Sequence, residues 1–340
     1  MELRLGNPIQ FTPDLILTQD YTRTGDKIDR LFERGAKGQW YVGDPDILPS
    51  WDTAISFESP IVPDQVAVLY GTRVWEKAIV KDGGIEEIRR DILVEQLSSF
   101  LHAEQMGLVI VPQLVGITRE LDEKLACAQQ VHDEARHVEF FRRMLARTEN
   151  IVGIHPDLYT LGEMTAIVPQ VHSKCIAMQV VIEGLALAMF RSIIKALEIS
   201  RGLGGGDIIL ETGLRYVLQD EARHVGLGPQ IISRYLKDLS EVEHRETEDF
   251  LLEALRHMQT RFVPYFTCTK YGFDPKEIAP EFDQNLAVMA YRKSMLIGVL
   301  PQAHMLGLVP ERLRDVYVNE FGADWTKILK RSEEFVNKEA

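Results

Sequence analysis

Two short stretches of the sequence repeat a grouping of side chains that can hold a metal ion. VHDEARHVEF at 131–140 and LQDEARHVGL at 218–227 share the core Asp-Glu-Ala-Arg-His-Val. A Glu and a His three residues apart meet on one face of a helix. Glu134 with His137 can therefore grip one metal, and Glu221 with His224 a second. One imidazole and one carboxylate are too few ligands for a transition metal, so neighbouring helices must supply more carboxylates. Glu104, in SFLHAEQMGLVIV, precedes the first motif, and Glu183, in AMQVVIEGLALAMF, precedes the second. Both are ionisable residues inside apolar stretches, where a lone carboxylate is costly to bury unless it is paired or bound to a metal. Four carboxylates neutralise two divalent ions. Two His and four carboxylates suit iron or manganese better than zinc, whose structural sites are rich in sulfur.

A Glu-x-x-His alone carries no chemistry. The chain has a third, Glu241 and His244 in LSEVEHRETED, which is charged on every side. It reads as a solvated helix start capped by Ser240. The two DEARH segments differ in being repeated, in lying among apolar residues, and in following a carboxylate on a preceding helix.

For these side chains to converge, the elements carrying them must be helices, and the apolar period is helical from about residue 64 onward. The spacing predicts helices over 64–80, 84–116, 119–148, 163–199, 207–237, 241–265, 276–299 and 309–336, with no strand-like alternation. Gly83-Gly84, the Gly153-to-Pro156 stretch and the run from Gly202 to Gly206 separate them. The last lacks the Lys-Ser/Thr ending and preceding strand of a phosphate loop and reads as a linker. Pro112, inside LVIVPQLV, should kink or break its helix. Residues 1–63 carry Pro8, Pro13, Pro45, Pro49, Pro60 and Pro63 with Trp40 and Trp51, and read as an irregular arm on the surface of one helical domain, 64–340. Within that domain a metal-binding core spans about 84–237 and accessory helices span 241–336. The repeated motif implies two helix pairs related by pseudo-two-fold symmetry.

A formal charge of −13 over 340 residues argues against a nucleic-acid or anionic-membrane partner. Cys127, Cys175 and Cys268 are scattered and odd in number, which disfavours disulfides and fits a reducing cytoplasm. The most apolar windows, 106–117 and 176–190, are too short or too interrupted to span a bilayer, and no leader is apparent in MELRLGNPIQFTPD. The expectation is a soluble cytoplasmic protein.

The doubled motif with its preceding glutamates resembles the ferritin-like di-iron carboxylate superfamily, an all-α four-helix bundle that takes Glu from two helices and Glu-x-x-His from two others. The arm, with GQWYVGDPDILPSWD, also resembles the lead-in of ribonucleotide reductase small subunits and related ligand-binding oxidases. The resemblance implies two Fe ions, or a Mn/Fe pair, held by Glu104, Glu134, His137, Glu183, Glu221 and His224. It further implies Asp220 orienting His137 and Asp133 orienting His224, since a metal-bound His usually donates its other N–H to a carboxylate. Arg136 and Arg223 would pair with carboxylates nearby.

Subclasses differ one helical turn from the ligands. Where radical-bearing subunits have Tyr, this chain has Phe141. Where ligand-binding oxidases carry a cross-linking Val, it has Gly107. Leu187 replaces the Thr of multicomponent monooxygenases, and Val217 the extra His of arylamine N-oxygenases. Helical spacing points Phe100, Leu101, Leu108, Phe141, Val180, Leu187, Val217 and Leu218 toward the metal layer, with Gln130 and Gln179 as the polar groups that would grip a substrate. The activity implied is a non-haem di-iron oxygenase or oxidase that uses dioxygen on a small organic substrate, by N-oxygenation, hydroxylation or desaturation. A reductase or ferredoxin would supply electrons to what is expected to be a homodimer. The alternatives are a radical or cofactor scaffold of the reductase type and a ferritin-type iron-binding protein.

Overall fold

The computed structural model describes residues 9–12, 15–21, 25–48, 51–260 and 262–339. Pro8, Pro13 and Pro49 of the expected arm lie outside them. The described part of the arm is more ordered than its prolines suggest. Strands β1 (Ile9–Thr12) and β2 (Leu15–Leu17) pair antiparallel, with Ile9 opposite Leu17. They are too short for alternation to register in the sequence. Helix α1 (Lys27–Lys37) starts where Asp26 accepts from the N–H groups of Ile28 and Asp29.

After α2 (Arg73–Ile79), four long helical runs form the bundle. They are α3 (Gly84–Ile117), α4 (Leu121–Ala146), a composite third run and α8 (Ile208–Leu236). Glu120 and Glu123 cap α4 reciprocally. Asp207 caps α8 by accepting from Leu210, and Arg147 grips its two oxygens at 3.0 and 2.7 Å, tying the end of α4 to the start of α8. The glycine run before α8 is a connection, as expected. A Cβ on Gly205 would stand 2.4 Å from the Pro60 carbonyl oxygen, so only glycine lets the arm pass there.

The third run departs from the expected 163–199. It is preceded by α5 (Pro156–Ile167), which ends before Pro169 because a residue ahead of proline is driven out of the helical region. It then continues as α6 (Val171–Cys175), a π-helical segment (Ile176–Ile182) and α7 (Glu183–Gly202). Pro112 does not end α3, which runs on to Ile117. Pro112 is exposed, on the outer side of the helix.

Helix α3 packs along α4, α8 along the π segment and α7, and α4 meets α8. Helix α1 lies across α4 and α8 on their outer side. Beyond the bundle come α9 (Glu241–Thr260), α10 (Tyr265–Lys270), α11 (Pro275–Asp283), α12 (Leu286–Met305), α13 (Arg314–Phe321) and α14 (Trp325–Glu339). Of these, α9 packs on α5, α6 and the π segment, and α12 on α7 and α14. Contrary to the window reading, α3 is long and apolar enough to cross a membrane by length and composition. Here it packs in the bundle and carries the buried Glu104. All three cysteines are buried and free.

Candidate metal centre

Glu104 projects from α3, Glu134 and His137 from α4, Glu183 from the junction of the π segment and α7, and Glu221 and His224 from α8. All six are buried, His137 completely. The structure brings them together as two clusters that share members. The Nδ1 of His137 faces Glu104 Oε2 at 3.0 Å, Glu221 Oε1 at 3.1 Å and Glu134 Oε2 at 3.5 Å. The Nδ1 of His224 faces Glu183 Oε2 at 3.4 Å, Glu134 Oε1 at 3.5 Å and Glu221 Oε2 at 3.6 Å. Glu134 and Glu221 thus each offer one oxygen to either side. The sequence reading assigned each motif's Glu to its own His. The geometry instead spans both positions with both glutamates, because α4 and α8 face each other at this level.

The outer ring nitrogens complete the arrangement. His137 Nε2 meets Asp220 Oδ2 at 3.1 Å and His224 Nε2 meets Asp133 Oδ2 at 3.2 Å. A carboxylate only accepts, so Nε2 carries the proton in each neutral ring and the Nδ1 lone pair points into the carboxylate box. Arg136 bonds Asp133 and, at 3.0 Å, Asp220, while Arg223 bonds Asp220 and, at 3.1 Å, Asp133. The four form a ring beneath α1 in which Arg223 is half-buried and the other three are buried. Burial alone would raise both aspartates. His224 and Arg136 nevertheless hold Asp133 down at about 2, and His137, Arg223 and Trp40 hold Asp220 lower than its usual range.

Inside the box the balance reverses. Burial, reinforced by the charges of Glu221 and Glu134, pushes Glu104 well up and Glu183 to about 8. Burial would lower both histidines, but the surrounding carboxylates raise them well above their usual value. Burial likewise raises Glu221, but His137 and His224 together bring it below the ordinary value. Several buried atoms have no hydrogen-bond partner: Glu183 Oε2, both oxygens of Glu221 and His224 Nδ1. Unpartnered buried acceptors of one polarity, aimed at a common centre, are what a cation satisfies. The sets Glu104–Glu134–His137–Glu221 and Glu134–Glu183–His224 each place ligand atoms within 4.8 Å of one another. The residues fit a pair of metal ions.

Other residues change role. Gln130, expected to face a substrate, is committed to the carboxylates: its amide N–H groups donate to Glu134 Oε1 at 3.1 Å and to Glu183 Oε1. Gln179 donates to Gln130 Oε1 at 3.1 Å, and its own Oε1 is buried without a partner. Phe141, Val180 and Val217 are fully buried core, and Leu108 and Leu187 are half-buried. Phe141 packs against Phe100, Phe140 and Phe190. Two cavities lie away from these side chains. One of about 60 Å³ is lined by Ile92, Ser99, Phe262 and Tyr291, and a neighbour of about 80 Å³ by Ile61, Trp75, Ile92 and Tyr291. None of the eight apolar residues that helical spacing points toward the metal layer lines either.

Two contributors escaped the sequence reading. Trp40 donates its indole N–H to Asp220 at 2.8 Å, making a chain from the arm to His137. Its signal was its place in GQWYVGDPDILPSWD, without a partner that spacing could name. Gly107 lies against Glu134, where a Cβ would come within 2.9 Å of Cδ.

With this geometry in hand, solved structures of similar shape can be set beside it. An R2-like ligand-binding oxidase variant with an aerobically reconstituted Mn/Fe cofactor aligns at 18% identity and a TM-score of 0.51, covering 80% of this chain and 91% of the other. A variant with an aerobically reconstituted Fe/Fe cofactor aligns at 17% identity with the same score and coverage. A third, again with Mn/Fe, covers 82% of this chain and 93% of its own at 14% identity and a TM-score of 0.50. The fold is ferritin-like. No family model matches the chain, and no curated protein matches it.

Proposed function

We infer that this protein is a non-haem oxidase or oxygenase whose Glu104, Glu134, His137, Glu183, Glu221 and His224 hold two Fe ions or a Mn/Fe pair. In this reading it uses dioxygen to oxidise a small organic substrate. The observation that carries the inference is the pair of buried glutamates, Glu134 and Glu221, each offering one oxygen to either imidazole. The bound metals of the similar oxidases support the choice of ions.

A metal pair bound by these residues would supply Lewis acidity and redox capacity toward dioxygen. The chain's own residues do the rest. Asp133 and Asp220 hold the Nε2 protons and keep each Nδ1 lone pair aimed inward. Arg136 and Arg223 neutralise those aspartates, so the fixed charge beneath the site is balanced. Phe100, Phe141 and Phe190 exclude water from one flank. Trp40, hydrogen-bonded to Asp220, ties the arm to the carboxylate that holds His137, and an external donor, a reductase or ferredoxin, would supply the electrons. Gln179 Oε1 offers an acceptor to an N–H or O–H on the substrate. Hydroxylation, N-oxygenation and desaturation are the candidate outcomes, with a cytoplasmic homodimer as the working form. Phe141 places no hydroxyl where a tyrosyl radical would form, which weighs against the radical-scaffold alternative. The test is anaerobic reconstitution followed by exposure to dioxygen. Metal-dependent oxygen uptake is expected, and a fully loaded ferrous protein that does not consume oxygen would end the oxidase reading.

A further inference from the structure

The two metal positions look alike in sequence but differ in what holds their terminal carboxylates. The amide of Gln130 gives both N–H groups to carboxylates, one to Glu134 Oε1 at 3.1 Å and one to Glu183 Oε1. Its orientation is fixed twice over: a flipped amide would turn its carbonyl onto two carboxylates, and Gln179 donates to that carbonyl at 3.1 Å. Gln130 holds Glu183 by Oε1, and Oε2, unpartnered and 3.4 Å from His224 Nδ1, is the oxygen that faces the metal position. Across the site Glu104 turns Oε2 to His137 at 3.0 Å. Among the described residues, no side-chain amide donates to Glu104.

We propose that the Gln130–Gln179 pair makes the two metal positions inequivalent by restraining Glu183 to one coordinating oxygen, so that the His224 position keeps the open place where an exogenous ligand binds. Gln130 and Gln179 are positioning residues. The unpartnered Gln179 Oε1, buried beside this position, adds an acceptor for a ligand that carries a proton. Gln179 lies in the π-helical segment Ile176–Ile182, which ends directly before Glu183. Such single-turn irregularities recur at functional sites. The proposal rests on the metal reading above.

The test uses the full chain, loaded with iron, oxidised and titrated with azide as the probe, followed by its visible charge-transfer band and by crystal structures of the azide complex. Wild type should bind azide at the His224 position with Glu183 monodentate. Gln130→Leu should let Glu183 become bidentate and lower azide affinity about tenfold or more, in the range that outer hydrogen-bond partners command at metal sites. Gln179→Leu, which frees the Gln130 amide to turn, should act in the same direction with a smaller loss, and it serves if Gln130→Leu does not fold. Azide at the His137 position, or unchanged azide affinity with Glu183 still monodentate in a metal-loaded Gln130→Leu, overturns the proposal while leaving the metal reading intact. A wild type that takes up no metal overturns both.

Discussion

Two parts of this molecule carry a Glu and a His at the same spacing and do opposite things with them. In α4 and α8 the pairs Glu134–His137 and Glu221–His224 are buried and turn toward each other. In α9, Glu241 is exposed, and His244 turns instead to Glu248 at 3.2 Å. Ser240 and Glu243 bond each other there as an ordinary helix cap. The spacing is identical, so it does not make a site. What does is a desolvated face, a second carboxylate-bearing helix on the far side, and an acceptor behind each imidazole. In α9 the Glu lies in solvent and the His is tied to a carboxylate of its own helix.

The comparison breaks most visibly at the shared glutamates. Glu134→Ala or Glu221→Ala should abolish binding at both positions, because each carboxylate serves both. Metal-dependent thermal stabilisation should vanish with it, a loss of about 2.7 kcal/mol per position at metal concentrations a hundredfold above the dissociation constant. Calorimetry with and without metal checks this. Retention of one fully occupied position in either variant would show that the glutamates do not bridge.

Asp220→Asn should act next most strongly. It keeps the shape but removes the charge that holds the Nε2 proton of His137, and metal affinity should fall by about 10- to 100-fold. An anaerobic titration monitored by chelator competition gives the number. Gly107→Ala should follow, since its Cβ would press on Glu134 from 2.9 Å. Overpacking of this kind costs about 1–3 kcal/mol, and affinity should drop at both positions because the displaced side chain spans them. Unchanged metal binding would mean Glu134 yields without moving its oxygens.

The smallest effects should be in α9. Glu241→Ala and His244→Ala should leave metal content untouched and shift stability by no more than about 0.5 kcal/mol. Ser240→Ala should cost about 1 kcal/mol by removing the cap, again without effect on metal. Any loss of metal from an α9 variant would undo the contrast.

Much of this was legible in the sequence, and the pattern of success has a physical basis. Helices α3, α4 and α8 are long enough for their apolar period to repeat several times, and the doubled DEARH marked the level at which they meet. The pairing of each Asp with the opposite His was readable only through the resemblance, since Asp133 and His224 are far apart in the chain. The break at Pro169 was visible as a residue but was overridden by a continuous apolar run. The π segment was invisible, because IAMQVVI has the composition of any buried helix. Trp40 could not be paired with Asp220 by any local rule. The expected pocket walls Phe141 and Val217 do face the interior, where Phe141 packs on Phe100, Phe140 and Phe190. Gln130 lies where its helical turn placed it, yet its amide is committed to Glu134 and Glu183, a pairing that no spacing rule could show.

The central claim is that these six side chains cage two metal ions. Elemental analysis of the chain after anaerobic reconstitution with iron, or with manganese and iron, tests it most directly. About two equivalents per chain are expected, falling to trace in Glu134→Ala and unchanged in His244→Ala. Trace metal in the reconstituted wild type, or two equivalents retained by Glu134→Ala, would contradict it.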